Sequence, residues 1–157
     1  MNEITMNLLY LIKDNQVLLA MKKRGHGVGR YNGVGGKLKT DESVEQALTR
    51  ESQEEIGITP EKFEKMAYIT FDQYMKGEPI FEHVHIFTAS KWTGEPAESE
   101  EMSPKWFDID NLPFDTMWPN DVHWLTQVLE GNKIIAHFKL DKNDLVLSHN
   151  VKIVQKL

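Results

Sequence analysis

Three closely spaced glutamates are the residues best suited to chemistry in this chain. Glu51, Glu54 and Glu55 continue the stripe begun by apolar residues one and two turns earlier, and at about 100° per residue they share roughly one third of a helix circumference. Like charges this close repel one another, and partial burial makes each one more unfavourable. A hard divalent cation such as Mg²⁺ would offset the repulsion through oxygen ligands. The alternative is a solvated acidic face in which Arg50 and Glu54 form an i,i+4 ion pair.

Glycines bracket the segment that carries these glutamates. Gly35 and Gly36 precede it, where a backbone without Cβ atoms can approach a ligand or a side chain closely. Gly57 follows it and suits the left-handed residue that ends many helices, while Asp41 or Ser43 could cap the start. The pattern predicts a loop, a helix beginning near Ser43 and a second loop.

The stretch 36–58, GKLKTDESVEQALTRESQEEIGI, resembles the Nudix box, G-x5-E-x7-R-E-U-x-E-E-x-G-U with U aliphatic. The positions in register are Gly36, Glu42, Arg50, Glu51, Glu54, Glu55, Gly57 and Ile58. Ser52 departs from the pattern at a position where the family prefers a bulky aliphatic residue that packs the helix onto the sheet. The resemblance implies an α/β fold of the Nudix type, an α/β/α sandwich with a mixed β-sheet.

The resemblance also implies roles for individual residues in hydrolysis of a pyrophosphate bond. Mg²⁺, with Mn²⁺ as a substitute, would be bound by carboxylate and carbonyl oxygens, and Arg50 would orient the carboxylates through charge-assisted hydrogen bonds. The implied metal ligands are Gly36, Glu51, Glu54, Glu55 and Glu101, and the catalytic set is Arg50 with the same four glutamates. Glu42 is expected to be structural, and the identity of the general base stays open.

A longer resemblance covers much of residues 20–145. The stretches MKKRG, YNGVGGK, EMSPKWF and FDTMWPND are similar to the Nudix branch that hydrolyses oxidised purine nucleoside triphosphates such as 8-oxo-dGTP. It implies nucleotide-pool sanitation, with a nucleoside monophosphate and pyrophosphate as products. The implied substrate-binding residues are Lys22, Asn32, Met102, Trp118, Asn120 and Asp121.

These residue types also fit recognition of a purine base. The indole of Trp118 offers a stacking surface, and amide and carboxyl groups offer donors and acceptors. The alternatives are a core tryptophan and polar caps at a helix N-terminus. Asn120 stands where that branch has a second aspartate. Because an amide cannot change protonation, we expect a narrower base preference, 8-oxo-dGTP over 2-oxo-dATP.

The Nudix box handles the pyrophosphate and leaves the rest of the substrate open. Rival hypotheses are therefore a hydrolase of nucleoside-diphosphate sugars, dinucleoside polyphosphates or capped RNA. A domain that senses a nucleotide without cleaving it is a further alternative, which the complete set of three box glutamates disfavours.

Composition limits the classes of function. A chain of 157 residues suits one domain spanning 1–157, and its net charge of −6 argues against stable binding to nucleic acid or to membranes. The chain has no cysteine, which excludes disulfides and thiolate chemistry. The first residues lack the pattern of a signal peptide, so a cytoplasmic protein is expected, either monomer or homodimer.

The remaining pattern predicts strands joined by turns, with a second helix near the end. Strands are expected at 4–12, 16–22, 63–75, 80–90, 105–109, 133–140 and 144–154. A helix is expected to begin at Pro119 and run to Glu130. The basic, glycine-rich segment 21–32 is expected to form a loop that reaches the phosphates or the rim of the site. His83 and His85 share one strand face, where polar strand residues are favoured over a two-histidine metal site.

Overall fold

A computed structural model describes residues 2–157 and shows a mixed sheet with helices on both faces. The strands are β1 Asn2–Lys13, β2 Gln16–Lys22, β3 Tyr31–Asn32, β4 Val34–Lys37, β5 Thr59–Met75, β6 Glu78–Thr93, β7 Met102–Asp108, β8 Lys133–Leu140 and β9 Val146–Val154. The helices are α1 Val44–Ile56 and α2 Leu125–Leu129, with short 3₁₀ turns at Phe114–Thr116 and Asp121–His123. The main path through the sheet is β3-β2-β1-β6-β5-β8-β9, with β4 added to β1 and β7 added to β2.

Strand β1 lies at the centre of the sheet and is buried on both faces. It pairs in parallel with β6 and antiparallel with β2 and β4. Leu9 and Leu11 belong to the core under α1, whereas Tyr10 belongs to the core under α2. This alternation explains the continuous apolar run in β1, because a strand covered on both faces has no solvent side. The predicted α/β/α sandwich is confirmed.

Helix α1 is fixed at both ends by local interactions. The Ser43 hydroxyl accepts a hydrogen bond from the Gln46 amide N–H, and the Gln46 side chain accepts one from the Ser43 N–H. Gly57 ends the helix with φ 72°. These features satisfy backbone groups that have no partner inside the helix, and they confirm the predicted limits. The unusual Ser52 is fully buried and donates a hydrogen bond to the Leu48 carbonyl (2.7 Å).

The hairpin turns are tight. Asp14 and Asn15 both have positive φ, as a two-residue type I′ turn requires, which confirms the predicted β1–β2 hairpin. Lys76 and Gly77 form the same kind of turn between β5 and β6, shorter than the four-residue connection expected at 76–79. Strand β5 begins at Thr59 and β7 at Met102, so the predicted starts at 63 and 105 were too late.

The predicted continuous helix from Pro119 to Glu130 is wrong. A 3₁₀ turn ends at His123, and Trp124 interrupts the chain with φ −140° and ψ −29° before α2 begins. The Trp124 side chain is 2% exposed and packs edge-on against Tyr10. Val122, which a continuous helix would place on one stripe with Leu125 and Leu129, is 53% exposed. Burial of the large indole therefore outweighs helical periodicity.

None of the helices within residues 2–157 has the length and apolarity required to cross a lipid bilayer.

A Gly35→Ala substitution is expected to destabilise the protein. Gly35 pairs with Leu8 in β1, and a Cβ atom there would overlap the backbone carbonyl of Asn7, which cannot move without distorting the central strand. We expect the free energy of unfolding to fall by about 3 kcal/mol or more, measured by urea denaturation. At Gly36 a Cβ would meet only the tip of the Glu51 side chain. Gly36→Ala should therefore cost much less stability, and equal effects of the two substitutions would contradict the steric explanation.

Candidate active site

The α1 glutamates meet the backbone of β4 at very short range. The Gly35 N–H donates a hydrogen bond to Glu55 Oε1 (3.0 Å). At Gly36 a Cβ atom would stand 2.8 Å from Glu51 Oε1, so only glycine allows this carboxylate to lie against the strand. The glycines before the helix thus place two carboxylates at the end of β4.

Arg50 holds one side of this carboxylate group. Its Nε and Nη2 donate to both oxygens of Glu42 (2.7 and 2.9 Å), and Nη1 donates to Glu51 (2.8 Å) and Glu54 (3.2 Å). The hydrogen bonds from Arg50 lower the pKa of Glu42 to about 2. The Glu42 contacts fit its expected structural role, and the guanidinium fixes Glu51 relative to it.

The carboxylates on the buried side carry unfavourable charge. Glu55 is 5% exposed, and burial followed by repulsion from Glu51 raises its pKa to about 8. Burial also raises the pKa of Glu51, against the opposing effect of Arg50. Glu101, across from the helix at the start of β7, adds repulsion to both. A bound cation would relieve this repulsion.

The donor chemistry of this group fits a hard divalent cation, because every candidate donor is an oxygen. Glu54 is 56% exposed along its side chain, and Glu101 is half exposed and within 3.3 Å of Arg24. Within residues 2–157, no three acidic or histidine side chains already converge tightly enough to enclose an ion. The assignment of metal ligands to Gly36, Glu51, Glu54, Glu55 and Glu101 stays a prediction.

A cleft opens beside the carboxylates and brings the sequence-predicted substrate residues together. It contains about 880 Å³ of empty space, including its open mouth. All six of those residues line it: Lys22, Asn32, Met102, Trp118, Asn120 and Asp121. Gly35 lines the same cleft while its N–H binds Glu55, so the cleft and the carboxylates are direct neighbours.

Trp118 forms a wall of the cleft and is held by the loop between β2 and β3. The Arg30 guanidinium lies over the indole at 4.3 Å, and the His26 ring is 5.0 Å away. A Cβ atom on Gly27 would approach the indole to 2.9 Å. His26, Gly27 and Arg30 also line the cleft, so this loop forms its rim as predicted. Trp118 is half-buried, and Asn120, which precedes the 3₁₀ turn, makes no side-chain cap hydrogen bond there.

The polar side chains in the cleft are half-buried or buried, and hydrogen bonds orient Asn32. Asn32 Oδ1 accepts hydrogen bonds from the Tyr10 hydroxyl (3.1 Å) and the Gly33 N–H (2.8 Å), which leaves its NH₂ group to donate. Asp121 is 3% exposed, and its Oδ2 has no hydrogen-bond partner among the described residues. Burial raises the pKa of Asp121 to about 7, and the nearby Trp124 side chain and Arg30 charge offset only part of that effect. Asn120 donates weakly to Asp121 (3.4 Å).

The floor of the cleft is a sheet face that sequence analysis missed. Alternate residues of β1, β5 and β6 contribute to it, as the two-residue period of a strand requires. These residues are Met6, Leu8, Ile69, Phe71, Gln73, Glu82, Val84 and Ile86. Alternation along each strand could have shown that they share a face, but not that β1, β5 and β6 are neighbours.

His83 and His85 point away from the cleft. They alternate with Glu82 and Val84, and both rings pack against Tyr68. His83 also contacts Glu3 through Nε2 (3.0 Å). These contacts agree with polar residues on the opposite sheet face.

Comparisons with known proteins agree with this architecture. The NUDIX domain family model matches residues 2–128. The oxidized purine nucleoside triphosphate hydrolase of Danio rerio is 42% identical over 97% of this chain and 96% of its own length, and the mouse protein of the same name is 41% identical over 94% and 93%. The crystal structure of a mutator MutT protein from Bacillus halodurans superposes with a TM-score of 0.83, over 95% of this chain and 97% of its own. The sequence identity is 24%, so this likeness supports the fold alone.

The chain belongs to the Nudix family. Nudix hydrolases generally need a divalent metal ion, usually Mg²⁺, which agrees with the oxygen-rich donor set at the end of β4.

An Arg50→Lys substitution tests whether the guanidinium orients the carboxylates. Lysine keeps the positive charge but cannot donate to Glu42 and Glu51 with the same planar geometry. We expect Mg²⁺ affinity, measured by calorimetry, to fall by about 10–100-fold, as is typical when a residue that orients metal ligands is changed. Arg50→Ala is the comparison: if Lys restored wild-type affinity while Ala did not, charge alone would explain the role of Arg50.

The buried Glu55 is expected to make the metal-free protein less stable as pH rises. Its pKa of about 8 in the folded state lies above the ordinary value of 4.5. Between these two pH values the folded state binds more protons than the unfolded state, so the free energy of unfolding decreases as pH rises across that range. Thermal melting between about pH 5 and pH 8 should show this loss, and Glu55→Gln should reduce it. Glu45→Gln, an exposed glutamate on the same helix, is the control. Identical pH profiles for wild type and Glu55→Gln would refute the assignment.

Proposed function

We propose that this protein hydrolyses an oxidised purine nucleoside triphosphate, 8-oxo-dGTP above all, to the monophosphate and pyrophosphate, and so removes damaged nucleotides from the pool. The observation that carries the proposal is the junction at Gly35, which lines the cleft and also binds Glu55. A nucleotide with its base in the cleft could thereby reach the carboxylates with its phosphates. The names of the relatives from Danio rerio and mouse point to the same substrate class.

The proposed base site combines stacking with directed hydrogen bonds. Trp118 supplies an aromatic ring for stacking of the base, and the Arg30 guanidinium also lies over this ring. Stacking of a base on an aromatic side chain contributes ~1–3 kcal/mol in nucleic-acid-binding proteins. The Asn32 NH₂ group can donate to a base acceptor, and the unpartnered Asp121 Oδ2 can accept from an N–H or, when protonated, donate. The cleft wall is completed by Asn120, Met102 and Lys22.

The proposed phosphate site uses the box residues. Glu51, Glu54 and Glu55, with the Gly36 carbonyl and Glu101, would hold Mg²⁺, which when bound neutralises phosphate oxygens and lowers the pKa of water. Arg50 restrains Glu51 and Glu54, and the Gly35 N–H restrains Glu55. The raised pKa of Glu55 belongs to the metal-free protein, and a bound cation would lower it by offsetting the repulsion from Glu51.

Product analysis tests the proposed function. The purified full chain with Mg²⁺ should convert 8-oxo-dGTP to the monophosphate and pyrophosphate, with kcat/KM about 10-fold or more above that for dGTP, because a polar base site discriminates by hydrogen-bond pairing. Glu55→Gln should abolish turnover while the protein stays folded. Ion-exchange chromatography with phosphorus NMR identifies both products.

Other outcomes would overturn the proposal. Hydrolysis of a nucleoside-diphosphate sugar, a dinucleoside polyphosphate or capped RNA, with no turnover of 8-oxo-dGTP, would assign the phosphate site to a different substrate. Binding of 8-oxo-dGTP by calorimetry without product would indicate a nucleotide sensor.

A further inference from the structure

Two polar side chains interrupt the otherwise apolar floor of the cleft. The floor residues on β1 are Met6 and Leu8, and those on β5 and β6 include Ile69, Phe71 and Val84. Glu82 and Gln73 lie among them. Neither belongs to the Nudix box or to the stretches that suggested a purine site. They are therefore polar groups in the cleft that the proposed function does not yet use.

The strand register places Glu82 and Gln73 beside each other. Glu82 of β6 lies opposite Phe71 of β5, and Gln73 lies opposite Ile80, so Gln73 and Glu82 are diagonal neighbours. Gln73 is 6% exposed, and its side chain is near enough to Glu82 to favour the ionised form of that carboxyl group. Because both residues sit on paired strands in the interior of the sheet, their positions are set by the fold rather than by a mobile loop.

A carboxyl group at this place is unfavourable for folding. Burial raises the pKa of Glu82 to about 7, and the neighbouring Gln73 side chain offsets only part of that effect. The neighbouring floor positions show that the sheet accepts apolar side chains here. A partly buried carboxyl without an ion-pair partner in the described residues is less stable than a well-packed apolar side chain of the same size. Stability therefore does not account for glutamate at position 82.

We propose that Glu82, oriented by Gln73, is a specificity-determining residue that hydrogen-bonds to the purine base of the substrate from the sheet floor of the cleft. This inference rests on the proposed function, because it assigns the base of the same substrate to the same cleft. Asp121 approaches the cleft from the segment after β7, whereas Glu82 approaches it from β6. The base site then has two carboxyl groups on two separate elements.

The second carboxyl group changes the expectation attached to Asn120. With Asn120 in place of an aspartate, Asp121 would be the single carboxyl able to accept from one purine and donate to another. Glu82 supplies a second carboxyl group that can either accept or donate, since a carboxylate accepts hydrogen bonds and a carboxylic acid also donates one. We therefore expect Glu82 to affect which oxidised purine is preferred, and a change at this position to alter the ratio of kcat/KM for 8-oxo-dGTP and 2-oxo-dATP.

Glu82→Met is the decisive variant. Methionine is unbranched and similar in length, so it fills the space without the polar group. We expect KM for 8-oxo-dGTP to rise about 10-fold or more, because a site that pairs with substrate polar groups loses affinity when one is removed. The melting temperature should stay the same or increase, since the desolvated carboxyl is gone. Glu78→Gln, an exposed glutamate at the start of the same strand, should leave both quantities unchanged.

The results separate this inference from the proposed function. If wild type hydrolyses 8-oxo-dGTP and Glu82→Met keeps KM within about twofold, Glu82 does not contact the base and only this inference falls. If Glu82→Met does not fold, Glu82→Gln is the variant that decides, through the ratio of kcat/KM for 8-oxo-dGTP to kcat/KM for 2-oxo-dATP. A change of about fivefold or more in this ratio supports the contact between Glu82 and the base. A ratio within about twofold of the wild-type value overturns it. If wild type hydrolyses neither nucleotide, the proposed function itself is wrong and the inference fails with it.

Discussion

The burial of Glu55 is the constraint around which this part of the molecule is arranged. Its carboxyl is almost fully removed from water, and among residues 2–157 its hydrogen-bond donor is a backbone N–H rather than a cationic side chain. Gly35 must therefore come close to α1 on one side and to β1 on the other, which leaves no room for a side chain. The Gly35–Glu55 hydrogen bond thus links α1 to β4, which itself pairs with the central strand β1. Folding alone would not favour such a group, whereas a bound cation would.

Sequence reasoning succeeded where the determinants are local. The limits of α1 follow from Ser43, Gln46 and Gly57, each of which acts within one turn of the helix end that it stabilises. The β1–β2 turn follows from Asp14 and Asn15 in the same way. The box residues of the candidate site were also predictable, because they lie on this one helix and the glycines before it. The purine-site residues came from resemblance, and the cleft shows that they are neighbours in space.

Prediction failed where distant parts of the chain decide the outcome. The helix expected from Pro119 to Glu130 is broken because Trp124 turns into a core formed by β1 and β8, which sequence spacing cannot reveal. Glu82 and Gln73 were missed for a related reason. Each looks like an ordinary polar residue of an alternating strand, and only the order β1-β6-β5 shows which face is enclosed. The polar residues of the floor are thus defined by sheet order and not by any short motif.

The contacts of Arg30 have a consequence for where the working unit ends. Arg30 lies over Trp118 and also forms an ion pair with Asp144 (3.0 Å) in the turn between β8 and β9, and Leu140 of β8 lines the cleft. The family match stops at residue 128, before either strand begins. A boundary drawn at the end of the family match would therefore remove Leu140 from the cleft and the ion-pair partner of Arg30 on its rim. Any shortened or fused form of this protein has to retain the final hairpin, because its turn anchors Arg30, which in turn lies over the indole of Trp118.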